Sequence, residues 1–294
     1  MMITFEQMRI FLAVAEREHL TEAAKALCLT PSAVSSAIRT IEEHYQVRLF
    51  HRVGRHIQLS DAGSIFVESC RHTLAQVSLA EATLREFSGL KRGALGLYAS
   101  QTIANYFLPP LIAKFRERYP AISVKMTIGN TEQVESAVLL GLTDIGFVEG
   151  NIKNKKLYLK TVDHDQLVIV VAKGHPLAKK TFVSLEDLFV FPWILREPGS
   201  GTRAIFEAEL VKSGYDLASL TVMQILPSNE AVLSAVARSD AITCISLRAA
   251  SNGIAAGCLE KLNFSPIERD FLLLFNPDRF KTKAVGAFIN LVAA

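Results

Sequence analysis

The chain has 294 residues, of which 50% are hydrophobic and 21% charged, and its net charge is +3. This is the composition of ordinary globular domains, and the length allows two or three of them at roughly 100–200 residues each. No apolar run approaches the ~18 residues that span a bilayer, and Glu6, Arg9 and Arg17 interrupt any signal-peptide core, so we expect a cytoplasmic protein with no membrane partner.

Three short helices are predicted in the first 45 residues. Apolar residues at 3–4 spacing predict a helix from Thr4 to Arg17. Thr21 is predicted to cap a second helix, and Pro31 suits the first turn of a third that runs to about His44. Small residues allow the second and third helices to pack closely, which predicts a helix-turn-helix; they are Ala23, Ala24 and Ala33.

The outer face of the third helix carries short hydroxyls and one guanidinium. Such a face fits the major groove of DNA, where it can donate to base edges and phosphates. We therefore assign DNA contacts to Thr30, Ser32, Ser35, Ser36 and Arg39. An ordinary helical hairpin with a polar outer face would give the same pattern, and this segment alone does not separate the two interpretations.

Residues 49–60 predict a two-stranded hairpin with Gly54 in its turn. The segment is basic, and it includes Arg52 and Arg55, to which we assign phosphate contacts. A solvated loop is the alternative interpretation. The position directly after a helix-turn-helix favours a wing that touches the DNA backbone or minor groove.

One long helix is predicted from Asp61 to about Phe87, a length of about 40 Å at ~1.5 Å per residue. Its apolar residues step by alternating fours and threes, as in a coiled coil. We assign the seam of a homodimer to Phe66, Cys70, Val77 and Leu84. Packing of the same stripe within its own chain is the alternative.

After Gly93 short apolar strands alternate with helices, which predicts α/β architecture with largely parallel sheets. A single helix is predicted over residues 103–118. Two β-α-β units follow each other, and the last strand and helix are expected to return to the first unit. The predicted division is a DNA-binding domain at 1–60, a dimerisation helix and hinge at 61–90, and a sensor domain at 91–294. Its lobe I comprises 91–163 and 267–294, and its lobe II 164–266.

The N-terminal motifs resemble those of LysR-type transcriptional regulators. The match is carried by Ala33-Val34-Ser35 and above all by Leu49-Phe50-x-Arg52-x-x-Arg55-x-x-x-Leu59-Ser60-x-Ala62-Gly63. This resemblance implies a winged helix-turn-helix followed by a two-lobed domain similar to type 2 periplasmic binding proteins. It also implies a dimer of dimers on double-stranded DNA, an interrupted palindrome as target, and contact with RNA polymerase. Pro31 and Ala37 stand where the family often has Gln, so the operator cannot be inferred by analogy.

The sensor region is similar to the subgroup that regulates sulfur assimilation and carbon fixation. The matching stretches are residues 99–106, 128–131, 145–150 and 193–203. The resemblance implies a small effector between the lobes, and in this subgroup a sulfur-containing one.

Strand-to-helix junctions suggest the same site on physical grounds. Free N–H groups and the positive helix end make each junction a cradle for an anion. The effector-binding residues predicted here are Ser100, Gln101, Thr102, Glu149, Ser200, Gly201, Thr202 and Arg203. Alternatively the Ser and Thr residues are only helix caps.

No motif indicates an enzyme, a metal or a cofactor. The chain has neither a G-x-S-x-G elbow nor a phosphate-binding G-x-x-x-x-G-K-[ST] loop, so enzymatic activity is not expected. Its four cysteines form no C-x-x-C pair, and we expect reduced thiols, with a disulfide between Cys244 and Cys258 left open. A solute-binding protein without DNA binding is the second alternative, which the N-terminal helices disfavour.

Overall fold

The computed structural model describes residues 3–53, 56–87, 93–150, 152, 154–215 and 217–293. The chain forms two compact units, the first ending at Leu84 and the second beginning at Arg85, and each is described by itself. Within the described residues, no helix combines the length and the apolar character needed to cross a membrane.

The N-terminal unit is a winged helix-turn-helix followed by a long helix. Its elements are α1 (Phe5–Arg17), α2 (Leu20–Leu27), α3 (Pro31–Tyr45), β1 (Phe50–Val53), β2 (His56–Leu59) and α4 (Asp61–Phe87). The antiparallel pair β1–β2 forms the predicted hairpin, with Phe50 opposite Leu59, and its predicted turn at Gly54 lies outside the described residues. The predicted long helix is confirmed over its 27 residues.

Capping explains where the first helices begin. The Thr4 side chain accepts from the Gln7 amide, and Gln7 returns a bond to the Thr4 backbone, so α1 starts with a capping box. The prediction that Thr21 caps the second helix is wrong, because α2 begins at Leu20 and its N-cap is His19. Thr21 therefore lies inside the helix.

Phe11 is fully buried at the centre of this unit, where its ring lies 5.4 Å from that of Phe50 and 4.8 Å from that of Phe66. Ala23 and Ala24 are buried at the helix crossing as predicted, whereas Ala33 is exposed and takes no part in that packing.

The first turns of α4 belong to this core. Cys70 is fully buried within its own chain, and burial raises the pKa of its thiol to about 12. The prediction that Cys70 lies in a dimer seam is therefore wrong, because no surface of it is left for a second subunit. Phe66 also packs onto the core. Val77 is half-buried and Leu84 is 71% exposed, so the seam remains a prediction at these two positions.

The second unit is an α/β fold built around one curled mixed sheet. Its strands are β3 (Gly93–Ser100), β4 (Ile122–Gly129), β5 (Ile145–Glu149), β6 (Tyr158–Ala172), β7 (Trp193–Arg196), β8 (Val222–Leu226), β9 (Thr243–Ser246), β10 (Leu259–Lys261) and β11 (Ile267–Phe275). Its helices are α5 (Gln101–Tyr106), α6 (Leu108–Arg118), α7 (Thr131–Leu140), α8 (Leu185–Phe189), α9 (Gly201–Lys212), α10 (Asn229–Val236), α11 (Leu247–Ala255) and α12 (Lys283–Val292). The single helix predicted over residues 103–118 is wrong. Pro109 cannot donate to the carbonyl four residues earlier, so the chain breaks at Phe107 and restarts as α6.

Two long strands run through both halves of this unit. In lobe I, the parallel strands β4, β3 and β5 are extended by β11 and β6, which pair antiparallel from Phe275 and Tyr158 to Ile267 and Leu167. In lobe II, β6 continues between β10 and β9, and β7 pairs in parallel with β8. The carboxyl end of β5 therefore lies beside the first half of β11, with Glu149 opposite Phe271.

Candidate DNA-binding surface and effector site

The exposed face of α3 carries most of the predicted DNA contacts. Ser32, Ser35, Ser36 and Arg39 are all exposed. Thr30 has a structural role as well, since its hydroxyl accepts from the Ala33 amide at 3.2 Å and so caps the helix. Arg39 Nε lies 3.3 Å from a Glu43 carboxylate in an exposed pair, which costs little to exchange for a phosphate.

A groove of about 540 Å³ separates α3 from the hairpin, and Arg39, Arg48 and His51 contribute to its walls. Glu42 connects α3 to the segment that leads into β1. Its Oε1 accepts from the Leu49 backbone N–H at 2.7 Å, and its Oε2 lies 3.3 Å from Arg48. This role was not predicted from the sequence, although a glutamate near the end of the third helix and next to a basic strand is a visible signal.

Two predicted wing contacts stay predictions. Arg52 lies in β1, but nothing is described of its side chain, and Arg55 lies outside the described residues.

In the second unit, Ser100 and Ser200 are the N-cap residues of α5 and α9, and neither makes a side-chain cap hydrogen bond. The Ser100 hydroxyl instead donates to the Glu149 carboxylate, and both residues are 2% exposed. The alternative that these serines serve only as helix caps is therefore not supported.

Gly201 allows α9 to begin directly against the end of β5. A Cβ at this position would lie 2.0 Å from the Glu149 carbonyl oxygen and 2.5 Å from Thr131 Oγ1. Thr131 itself donates to the same carbonyl at 2.8 Å. The close approach brings Thr202 of lobe II to the strand ends of lobe I.

Arg269 lies at the centre of the cluster, and the sequence analysis missed it. It stands opposite Asp165 in the β11–β6 register, and its Nε and Nη2 donate to Asp165 Oδ2 at 2.9 and 2.6 Å. Both side chains are 1% exposed. The alternation of side chains along each strand was a signal, because every second residue lies on the same face. Arg269 shares a face with buried Phe271, and Asp165 shares a face with buried Leu167.

The remaining guanidinium atoms of Arg269 connect the two lobes. Nη1 donates to Thr202 Oγ1 at 2.9 Å and lies 3.5 Å from Glu149 Oε1. Nη2 also reaches Thr102 Oγ1 at 3.4 Å. The three predicted residues Thr102, Thr202 and Glu149 are thus brought together by a residue that was not predicted.

A second buried arginine, Arg196, holds the side chain of Asn229. Asn229 was not predicted from the sequence. Arg196 Nη1 donates to Asn229 Oδ1, while its other nitrogens bind Glu197 at 2.8 and 2.9 Å. Asn229 Nδ2 then donates to Thr102 Oγ1 at 3.2 Å. Gln101 holds the backbone of the same segment, because its Oε1 accepts from the Asn229 backbone N–H at 3.0 Å.

Arg203 does not join this cluster. Its Nε donates to Glu207 at 2.6 Å and its Nη1 to the Arg196 carbonyl at 3.2 Å. The cluster therefore brings Arg269, Asp165 and Asn229 beside the predicted residues, whereas Arg203 lies outside it and its role in effector binding stays a prediction.

Comparison with known proteins covers both units. Residues 5–64 match the family "Bacterial regulatory helix-turn-helix protein, lysR family", and residues 88–294 match "LysR substrate binding domain". The HTH-type transcriptional regulator YeiE of Escherichia coli is 36% identical over 262 residues, which cover 89% of this chain and 87% of that protein. The regulator CysL of Bacillus subtilis is 29% identical over 98% of this chain and 96% of its own length.

Among solved structures, the CcmR regulatory domain of Synechocystis in complex with 2-PG has a TM-score of 0.64 and 26% identity. The match covers 69% of this chain and 96% of that domain.

Proposed function

The chain belongs to the LysR family of transcriptional regulators, as its N-terminal motif predicted, and we propose that a small anion held between Thr102 and Thr202 controls it. It combines a helix-turn-helix DNA-binding domain with a substrate-binding domain. Regulators of this kind bind DNA rather than catalyse a reaction, and we place its action in the cytoplasm, where its DNA target lies.

The direction of the hydrogen bonds carries the proposal. A guanidinium only donates, so Arg196 fixes the Asn229 amide with its oxygen towards Arg196 and its nitrogen towards Thr102. Thr102 Oγ1 accepts from Asn229 and Arg269, and Thr202 Oγ1 accepts from Arg269. Each hydroxyl keeps its proton for donation, and no bond donated by either is seen among the described residues.

Two helix starts add to these donors. The first-turn amides of α5 and α9 lack side-chain caps, and the positive end of each helix dipole favours an anion. The related CcmR domain, solved with 2-PG, supports a small-molecule ligand for this fold. A sulfur-containing effector remains a proposal, as do the contacts of Ser200 and Gly201.

Exposed apolar surface supports a homodimer on two-fold DNA. The edge strand β8 exposes Met223 (59%) and Ile225 (47%), and the edge strand β4 exposes Ile128 (46%). Leu84 and Ile65 on α4 are 71% and 72% exposed. A second copy would cover such surfaces, and two α3 helices would then read the half-sites of an interrupted palindrome. Assembly into a tetramer rests on the family resemblance.

Thermal unfolding of the full chain tests the anion site. Sulfite, sulfate, thiosulfate, phosphate and O-acetylserine would each be added, with the fluorescence of the single Trp193 as reporter of the second unit. A ligand at ~100 times its Kd adds about 2.7 kcal/mol, which corresponds to about 5–10 °C in Tm. The shift should disappear in Thr102→Val and Thr202→Val and survive in the matched Thr→Ser variants, which keep the hydroxyl. If no anion shifts the wild-type Tm, the proposal is wrong.

A further inference from the structure

We propose that the effector is an oxyanion carrying an O–H of its own, and that Glu149 selects for that proton. The inference rests on the anion site between Thr102 and Thr202. It arises from a conflict within that site: most of its polar groups donate, yet a buried carboxylate lies among them, 2% exposed.

Arg269 has no donor to spare for a ligand. A guanidinium has five N–H groups, and four of them make hydrogen bonds, two to Asp165 and one each to Thr202 and Thr102. Nη1 also forms an ion pair with Glu149 at 3.5 Å. The charge of Arg269 is therefore already neutralised by the protein's own carboxylates, and no N–H of its guanidinium is free to bind an anion.

The buried charges around Glu149 do not sum to a positive site. Arg269 faces two carboxylates, Glu149 and Asp165, while Arg196 is neutralised by Glu197. Arg248 adds little, because its Nε is 3.9 Å from Asp165 and its Nη2 binds Asp163 at 2.8 Å. A fully ionised dianion placed beside Glu149 would meet like charge in a buried setting.

Ser100 and Glu149 together present acceptors. The Ser100 hydroxyl donates its hydrogen bond to Glu149, so towards a ligand its oxygen can only accept. The same Arg269 Nη1 contacts both Glu149 Oε1 and Thr202 Oγ1, so the carboxylate and the Thr202 hydroxyl are neighbours. An anion bound by the Thr202 hydroxyl lies against this acceptor pair, and the contact becomes favourable only if the anion donates an O–H.

Phosphate and sulfate make a matched pair of probes, because both are tetrahedral and of similar size. Phosphate keeps at least one proton near neutral pH, whereas sulfate keeps none. Isothermal titration of the full chain at constant ionic strength should give phosphate an affinity roughly 30-fold higher than sulfate, the worth of one charge-assisted hydrogen bond. In Glu149→Gln, whose amide can donate, the preference should fall to near unity. Glu209→Gln, the same change at an exposed pair with Lys212 on α9, should keep it.

Arsenate and selenate repeat the comparison in the wild-type chain, so the proposal remains testable even if Glu149→Gln does not fold. If phosphate binds no better than sulfate and arsenate no better than selenate, the proposed selection by Glu149 is wrong, but the anion site between Thr102 and Thr202 is still supported. Binding of none of the four anions overturns the anion site, and the selectivity with it. A phosphate preference that persists in folded Glu149→Gln shows that Glu149 is not its source.

Discussion

Replacing Arg269 by Met should destabilise the second unit strongly, because it leaves two buried carboxylates without their counter-charge. The side chains of Arg269 and Asp165 are each 1% exposed and that of Glu149 is 3% exposed, so solvent does not screen the loss. Breaking a buried ion pair by removing one partner costs about 3–5 kcal/mol. For a domain of about 200 residues this lowers Tm by about 6–20 °C.

Trp193 makes the measurement specific to this unit. It is the only tryptophan, is fully buried, and stacks on Phe206 at 4.8 Å, so its fluorescence follows the unfolding of lobe II. Urea titration of Arg269→Met would be compared with Arg238→Met, an exposed arginine expected to change stability by less than about 0.5 kcal/mol. Adding Asp165→Asn to Arg269→Met removes one stranded carboxylate and should recover part of the loss. A loss below about 1 kcal/mol in Arg269→Met would refute the role of Arg269 as the centre of the cluster.

Three further outcomes are expected. Gly201→Ala should lower the stability of the second unit by about 1–3 kcal/mol, because its Cβ would lie 2.0 Å from the Glu149 carbonyl; unchanged urea unfolding would contradict this. A thiol reagent should modify the exposed Cys28 and Cys258 quickly, and all four cysteines only after unfolding. Burial raises the pKa of Cys70 and Cys244 to about 12. Both thiols should therefore stay largely protonated, and react slowly, even as the pH rises from 7 to 9. Fast reaction of Cys70 would contradict its place in the core. Glu42→Ala should release the hairpin from α3 and weaken binding to duplex DNA at low salt by about tenfold. The control Glu22→Ala, at an exposed pair with Lys25, should leave the DNA affinity unchanged. Equal affinities of the two variants would show that Glu42 does not position the wing.

The periodic elements were predictable from local sequence. Phe11 on α1 and Ile38 on α3 follow the helical repeat of a buried face, and Thr30 and Pro31 mark the start of α3. The errors have local causes as well. The cap assigned to Thr21 lies two residues past the true N-cap, His19, and the break before Pro109 was overlooked although proline disfavours a continuous helix there.

The candidate effector site was predictable only in part. Thr102 and Thr202 were predicted because each follows a strand at a helix start. Arg269 lies 167 positions from Thr102 on a strand that reads as an ordinary element of the sheet. Its contact with Asp165 depends on the pairing register of β11 with β6, which local patterns do not determine.

The assignment of Cys70 to a dimer seam failed for a related reason. A heptad stripe specifies which face of α4 is apolar, but not whether the partner is a second copy or the helices of the same chain. Here Phe66 and Cys70 in the first turns pack on the core around Phe11, whereas Leu84 in the later turns is exposed.

The most direct test of the account joins the two domains in one measurement. Fluorescence anisotropy of a labelled duplex, selected in vitro by the protein itself, gives the DNA affinity of the full chain with and without the anion that stabilises it most. The anion should change the DNA affinity of the wild-type chain by at least about fivefold, the lower end of usual allosteric coupling. It should leave the DNA affinity of the double variant Thr102→Val/Thr202→Val unchanged. An equal response in that variant, or no response of the wild-type chain to an anion that binds it, would contradict control of DNA binding from this site.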